Sequence, residues 1–118
     1  GSAEAIGSGK GRGFTINLPM TSDAGDREYL AAFRDRIIPA LDDFSPEFIL
    51  ISAGFDAHED DPLSGTILTT SAFRTMTLLL KASAEKHCQG RIVSMLEGGY
   101  DLPALAASVE GHLAALAT

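Results

Sequence analysis

Cys88 is the only cysteine in the chain. One thiol excludes an internal disulfide, and with no secretory leader in view the chain reads as cytoplasmic, with Cys88 a small helix-end residue rather than a nucleophile. Basic residues are scarce, nine Lys and Arg against sixteen Asp and Glu, for a formal charge of −7. Phosphate recognition needs clustered Lys and Arg, so no direct nucleic-acid binding is expected. The acidic surface would tolerate cationic partners such as lysine-rich tails or polyamines, but its charges are spread out, as on an ordinary solvated face. No window is long or apolar enough to span a membrane, so a soluble chain is expected. Gly7, Gly9, Gly11 and Gly13 alternate near the start, but a phosphate-binding loop has a strand before its glycines and a helix after them. Residues 1–13 are therefore expected to be a flexible lead-in. Prolines number only five, 45% of residues are apolar, and 118 residues bound the chain to one domain at most.

The most informative stretch runs from Phe48 to Leu63. Phe48 to Ala53 is an apolar run too short for a helix and rich in isoleucine, which predicts a strand buried on both faces. Gly54 then permits a sharp turn, and Asp56 follows at the carboxyl end of the strand, where open parallel sheets place their ligands. Arg91 to Leu96 has the same form and leads through Glu97-Gly98-Gly99-Tyr100 into a helix start at Asp101. Parallel strands point the same way, so Asp56 and Tyr100 are expected at one edge of the sheet. Asp56 and His58 are two apart; on extended backbone both face the same way, and such a pair could chelate a metal. Taken alone, an Asp after a strand is more often a turn or capping residue, and a Tyr before a helix more often half-buried packing.

The remaining elements follow from periodicity. Phe14, Ile16 and Leu18 alternate with Thr15 and Asn17 as in a strand with unlike faces, ended by Pro19. Leu30, Phe33, Ile37 and Leu41 recur at helical spacing after the capping oxygens of residues 21–26, with Pro39 expected to kink that helix. Thr70-Ser71 should cap a second helix with Phe73, Met76, Leu80 and Ala84 inward, stopped at Gly90. Asp101 should start a third, with Pro103 in its first turn and Leu105, Val109, Leu113 and Leu116 inward. The expected fold class is α/β, three strand-helix units on a parallel sheet, with βαβαβα order over residues 14–118.

Three groups of residues carry a family resemblance: Gly9-Lys10-Gly11-Arg12-Gly13-Phe14-Thr15-Ile16-Asn17-Leu18-Pro19, Ser52-Ala53-Gly54-Phe55-Asp56-Ala57-His58 with Asp61-Pro62-Leu63, and Leu96-Glu97-Gly98-Gly99-Tyr100-Asp101-Leu102. Together they resemble the C-terminal part of the zinc-dependent deacetylases, the family of histone deacetylases, acetylpolyamine amidohydrolases and acetoin-utilisation proteins, in its bacterial or class II-like branch. The resemblance implies the last third of an arginase/deacetylase-like catalytic domain. It implies Asp56 as one carboxylate ligand of Zn2+ or another divalent metal, Tyr100 as hydroxyl donor to the oxyanion, Leu63 as a wall of the acetyl-lysine channel, and Gly98 and Gly99 as close backbone approach for the substrate. The substrate implied is acetylated lysine or a related acetylated amine. In that family the Asp-x-His ligand pair comes from an earlier strand, so His58 is read as a loop residue. Glu59, Asp60 and Asp61 lack the spaced ligands and glycine of a calcium loop; Asp61 is expected to brace the turn before Pro62.

No tandem histidines, the family's general base and acid, occur in the chain. The chain by itself is therefore expected to be inactive, and a non-catalytic interaction module of the same fold stays open as an alternative. A receiver-type signalling domain has similar length and a mid-chain strand-end aspartate, but it would need an acidic pair after its first strand and a lysine after its last. Those places hold Leu18-Pro19-Met20 and Glu97-Gly98-Gly99. Because a three-stranded fragment leaves strand edges unpaired, a homodimer or exchanged assembly is also expected.

Overall fold

The two isoleucine- and valine-rich runs find each other. A computed structural model describes residues 1–118. In it β1 (Ile49–Ala53) pairs in parallel with β2 (Ile92–Leu96), in register from Ile49 opposite Ile92 to Ala53 opposite Leu96. Parallel neighbours need a crossover, and α3 (Thr70–Cys88) supplies it. The last helix, α4 (Leu102–Ala117), packs beside α3. Alternate strand residues face these helices: Ile49 and Ala53 are buried, while Leu50, Val93 and Met95 on the opposite face are 67%, 45% and 46% exposed. The expectation of strands covered on both faces is thus corrected, because both long helices lie on one side.

The core has two centres. Ala53, Phe55, Leu68, Ala72 and Phe73 form one, with Phe55 and Phe73 rings 5.2 Å apart, and Ile49, Ala84 and Cys88 form the other. Phe73 and Ala84 of the predicted inner face of α3 are buried, and Met76 packs against the first centre. Small residues, Ala104, Ser108 and Ala115, are the buried ones on α4 together with His112, whereas Leu113 is 56% exposed, against its expected inward place. Small side chains let two helices approach closely, so here size outranks hydropathy in choosing the facing positions.

Helix signals are met with some changes of detail. Asp101 caps α4, its Oδ2 accepting from the Ala104 amide at 3.0 Å. Gln89 and Gly90 take positive φ of 56° and 74° after α3, and the Gly90 amide donates to the Ala84 carbonyl at 2.9 Å, the stop expected there. Thr70 and Ser71, expected as caps of α3, lie inside its first turn; Thr69 is the residue before the helix, its side chain caps no first-turn amide, and it is held in place by Asp26, which accepts from the Thr69 amide at 2.8 Å and from its hydroxyl at 2.6 Å. Around Pro39 the helix α1 (Asp26–Ala32) passes through a π-helical segment, Phe33–Ile37, into α2 (Ile38–Phe44). The missing N–H of Pro39 is accommodated by this local widening, with the Ile38 amide donating to the Phe33 carbonyl five residues back.

Residues 14–18 form no strand, so the first of the three expected strand-helix units keeps only its helix and the sheet has two strands. Their alternation is intact, but a strand exists only by pairing and no neighbouring edge lies beside them. Phe14 instead meets Phe44 edge-on, ring centroids 6.1 Å apart, and Ile16 and Leu18 lie along a shallow apolar groove with Ile37, Ala40 and Leu41. The lead-in contains a short 3-10 turn, Gly9–Gly11, and is held by Asn17, whose Nδ2 donates to the carbonyls of Ser2 and Ala5.

Candidate functional site

The strands carry their partnership past their assigned ends. The Glu97 amide donates to the Ala53 carbonyl at 2.9 Å and the Phe55 amide to the Gly98 carbonyl at 2.7 Å. The two chains therefore leave the sheet side by side at its carboxyl edge, which brings Asp56 to Gly98. A Cβ placed on Gly98 would lie 2.9 Å from Asp56 Oδ2, and one on Gly54 would lie 3.1 Å from Oδ1. The Asp56 carboxylate is thus seated between two glycines, half-buried, and accepts no hydrogen bond from the chain. A carboxylate held partly out of water without donors has its lone pairs free for an exogenous cation.

Gly99 has a different reason to be glycine. Its φ is +144° and an added Cβ would meet Leu105 Cδ1 at 2.7 Å. The absence of side chains at 98 and 99 makes room for Asp56 and Leu105, a demand internal to the protein that the expected role in substrate approach did not include. Tyr100 comes next, 55% exposed, with no partner for its hydroxyl within the chain; Leu63 is exposed too. Both are tethered through their backbones by Asp61. This buried carboxylate accepts from the Leu63 amide at 2.9 Å and from the Tyr100 amide at 2.8 Å. Burial pushes the Asp61 carboxyl up, but the amides of Leu63, Tyr100, Ser64 and Asp101 outweigh it and hold the group below the ordinary carboxylate range.

His58 is fully engaged elsewhere. Its Nδ1 accepts from the Asp60 amide at 3.1 Å, so the proton sits on Nε2, which donates to Thr70 Oγ1 at 3.0 Å. With the ring buried and stacked 6.4 Å from Phe73, neither nitrogen is left for a metal beside Asp56. No group of three or more His, Cys, Asp or Glu in the chain is arranged to hold a metal ion. His112 is the other buried imidazole. Thr77 Oγ1 donates to the Phe73 carbonyl at 2.7 Å and must then accept from His112 Nδ1, also at 2.7 Å, leaving Nε2 to accept from Ser94 Oγ at 2.8 Å. Burial lowers its pKa, in keeping with this neutral form. The imidazole joins α3, β2 and α4 and lies edge-on to Phe55 at 5.6 Å, so it supports the strand end from behind. Its place on a helix heptad hid that role in the sequence. The reach of Asp61 to Tyr100 was equally hidden, although the Asp-Pro pair marked a turn.

Comparison with known proteins gives the family. Residues 1–116 match the family described as the histone deacetylase domain. A probable deacetylase of Archaeoglobus fulgidus is 43% identical over 113 residues, which cover 96% of this chain and 30% of that protein. The polyamine deacetylase of Homo sapiens is 43% identical over 108 residues, covering 91% of the chain and 16% of its own length. Among solved structures, the crystal structure of the HDA15 HD domain superposes with a TM-score of 0.90 at 37% identity, over 98% of this chain and 32% of that one. The chain thus spans less than a third of the length of these relatives. No helix is long and apolar enough to cross a membrane. With nearly its whole length matched and its fold shared with a solved member, the chain belongs to the histone deacetylase domain family of hydrolytic enzymes.

Proposed function

We propose that these residues form the part of a zinc-dependent deacetylase domain that supplies one metal ligand, Asp56, and the oxyanion donor, Tyr100, for hydrolysis of the amide of acetyl-lysine or a related acetylated amine. The observation that carries this reading is the Asp56 carboxylate, seated between Gly54 and Gly98 and receiving no donor from the chain. A zinc ion held in part by Asp56 would supply Lewis acidity toward the amide carbonyl and toward water. The chain's own residues have simpler tasks. Asp56 holds charge at the strand end, Tyr100 offers a hydroxyl to the developing oxyanion, and Leu63 lines the approach. A closed zinc site takes three or four protein ligands, and no such group is present here, so these 118 residues in isolation are expected to be inactive.

The test joins these residues to the upstream part of the Archaeoglobus deacetylase and assays an acetyl-lysine peptide. Tyr100→Phe should cost about 100-fold or more in kcat with little change in KM, because the hydroxyl serves mainly the transition state. Turnover near that of the unsubstituted chimera would end the assignment.

A further inference from the structure

Asp61 does more than close an Asp-Pro turn. Such a turn needs only the bond to the amide two residues on, here Leu63 at 2.9 Å. The second oxygen accepts from the Tyr100 amide at 2.8 Å, thirty-nine positions away, joining the loop after β1 to the loop after β2. The residue is only 7% exposed. A carboxylate is buried at a large desolvation cost, which charge-assisted bonds to several amides offset.

Tyr100 is the residue for which this matters. It follows two glycines, the more flexible of chain positions, and its ring and hydroxyl are not held by any hydrogen bond within the chain. On its far side Asp101 begins α4 as the cap. Asp61 is the one side chain that hydrogen-bonds the Tyr100 backbone. Oxyanion donors act only when placed to within a fraction of an ångström. We propose that Asp61 is a positioning residue that fixes Tyr100 against Leu63, so that oxyanion donor and channel wall are set by one carboxylate. This rests on the deacetylase reading above for its kinetic consequence, though the tether itself does not. The amides that hold the carboxyl below its ordinary value also keep it ionised, and therefore an acceptor only, at neutral pH.

Two measurements test it. In the chimeric domain, Asp61→Asn keeps the shape but replaces one acceptor oxygen with a donor, and should lower kcat by about 10-fold or more with KM within about 3-fold. Introduced together with Tyr100→Phe, the same change should add less than about 3-fold, since a positioning group has nothing left to position. Unchanged kcat, or an equal loss in both backgrounds, would overturn the proposal. The second measurement uses the unsubstituted 118-residue chain and stays decisive if Asp61→Asn does not fold or if Tyr100→Phe retains turnover. In an acid titration followed by amide resonances, Leu63 and Tyr100 should shift together with one midpoint below the ordinary carboxylate value of 3.8. A Tyr100 amide that stays still while Leu63 titrates would show that no shared carboxylate holds them.

Discussion

Residues 1–44 and residues 46–118 were built from similar patterns and ended differently. Both contain an alternating or continuous apolar run of strand length, at 14–18 and at 49–53 and 92–96. In the second region the two runs pair and are sealed on one side by α3 and α4, and nearly all buried side chains belong to it. In the first, Phe14 and Ile16 remain 72% and 53% exposed, and the helical part meets the second region through Tyr29, packed against the Phe55 and Phe73 cluster, and through a few polar ties: Asp26 to Thr69, and Asp42 to His87 and Lys86. His87 first and Lys86 second lower the Asp42 carboxyl. An apolar pattern is a capacity for pairing, and it becomes a strand only where an edge is within reach.

The comparison can be sharpened by perturbing each region in turn. The largest effect is expected from the uncovered face and open edges of the two-stranded sheet. Leu50, Val93 and Met95 offer an apolar surface beside unpaired backbone, and a second copy is the partner that presents the same edge. Light scattering on the isolated chain should show mass doubling with concentration, and Val93→Lys should reverse it. A monomer throughout would mean that the bare face is tolerated. Next comes Leu68→Ala. Leu68 is wholly buried in the cluster that holds Phe55 and Phe73, so the substitution should cost about 2–5 kcal/mol in urea unfolding.

The tie between the regions should be worth less. Asp26→Ala removes both bonds to Thr69 and should cost about 1–2 kcal/mol, in the range of hydrogen bonds to a charged acceptor, with faster amide exchange confined to Thr69 and the first turn of α3. Smallest is Phe14→Ala, expected within about 0.5 kcal/mol because the ring makes one edge-on contact and is mostly in water. If Phe14→Ala cost as much as Leu68→Ala, the first region would be part of the core and the contrast would collapse.

Features that depend on a few consecutive residues were determined by the sequence alone. Asp101 as a cap, Gly90 as a stop, the disturbance at Pro39, the existence of the two parallel strands and the arrival of Asp56 and Tyr100 at one sheet edge all follow from local chemistry and from the shared direction of parallel strands. Tertiary structure alone decided which patterns found partners. It left residues 14–18 unpaired, put one face of the sheet in contact with solvent, and turned His58 and His112 into buried hydrogen-bonded links. It also carried the Asp61 carboxylate to an amide thirty-nine residues away. The physical reason is that caps, turns and strand tendencies are set by torsions and hydrogen bonds within a few residues, whereas burial and long-range hydrogen bonds depend on what the rest of the chain brings alongside.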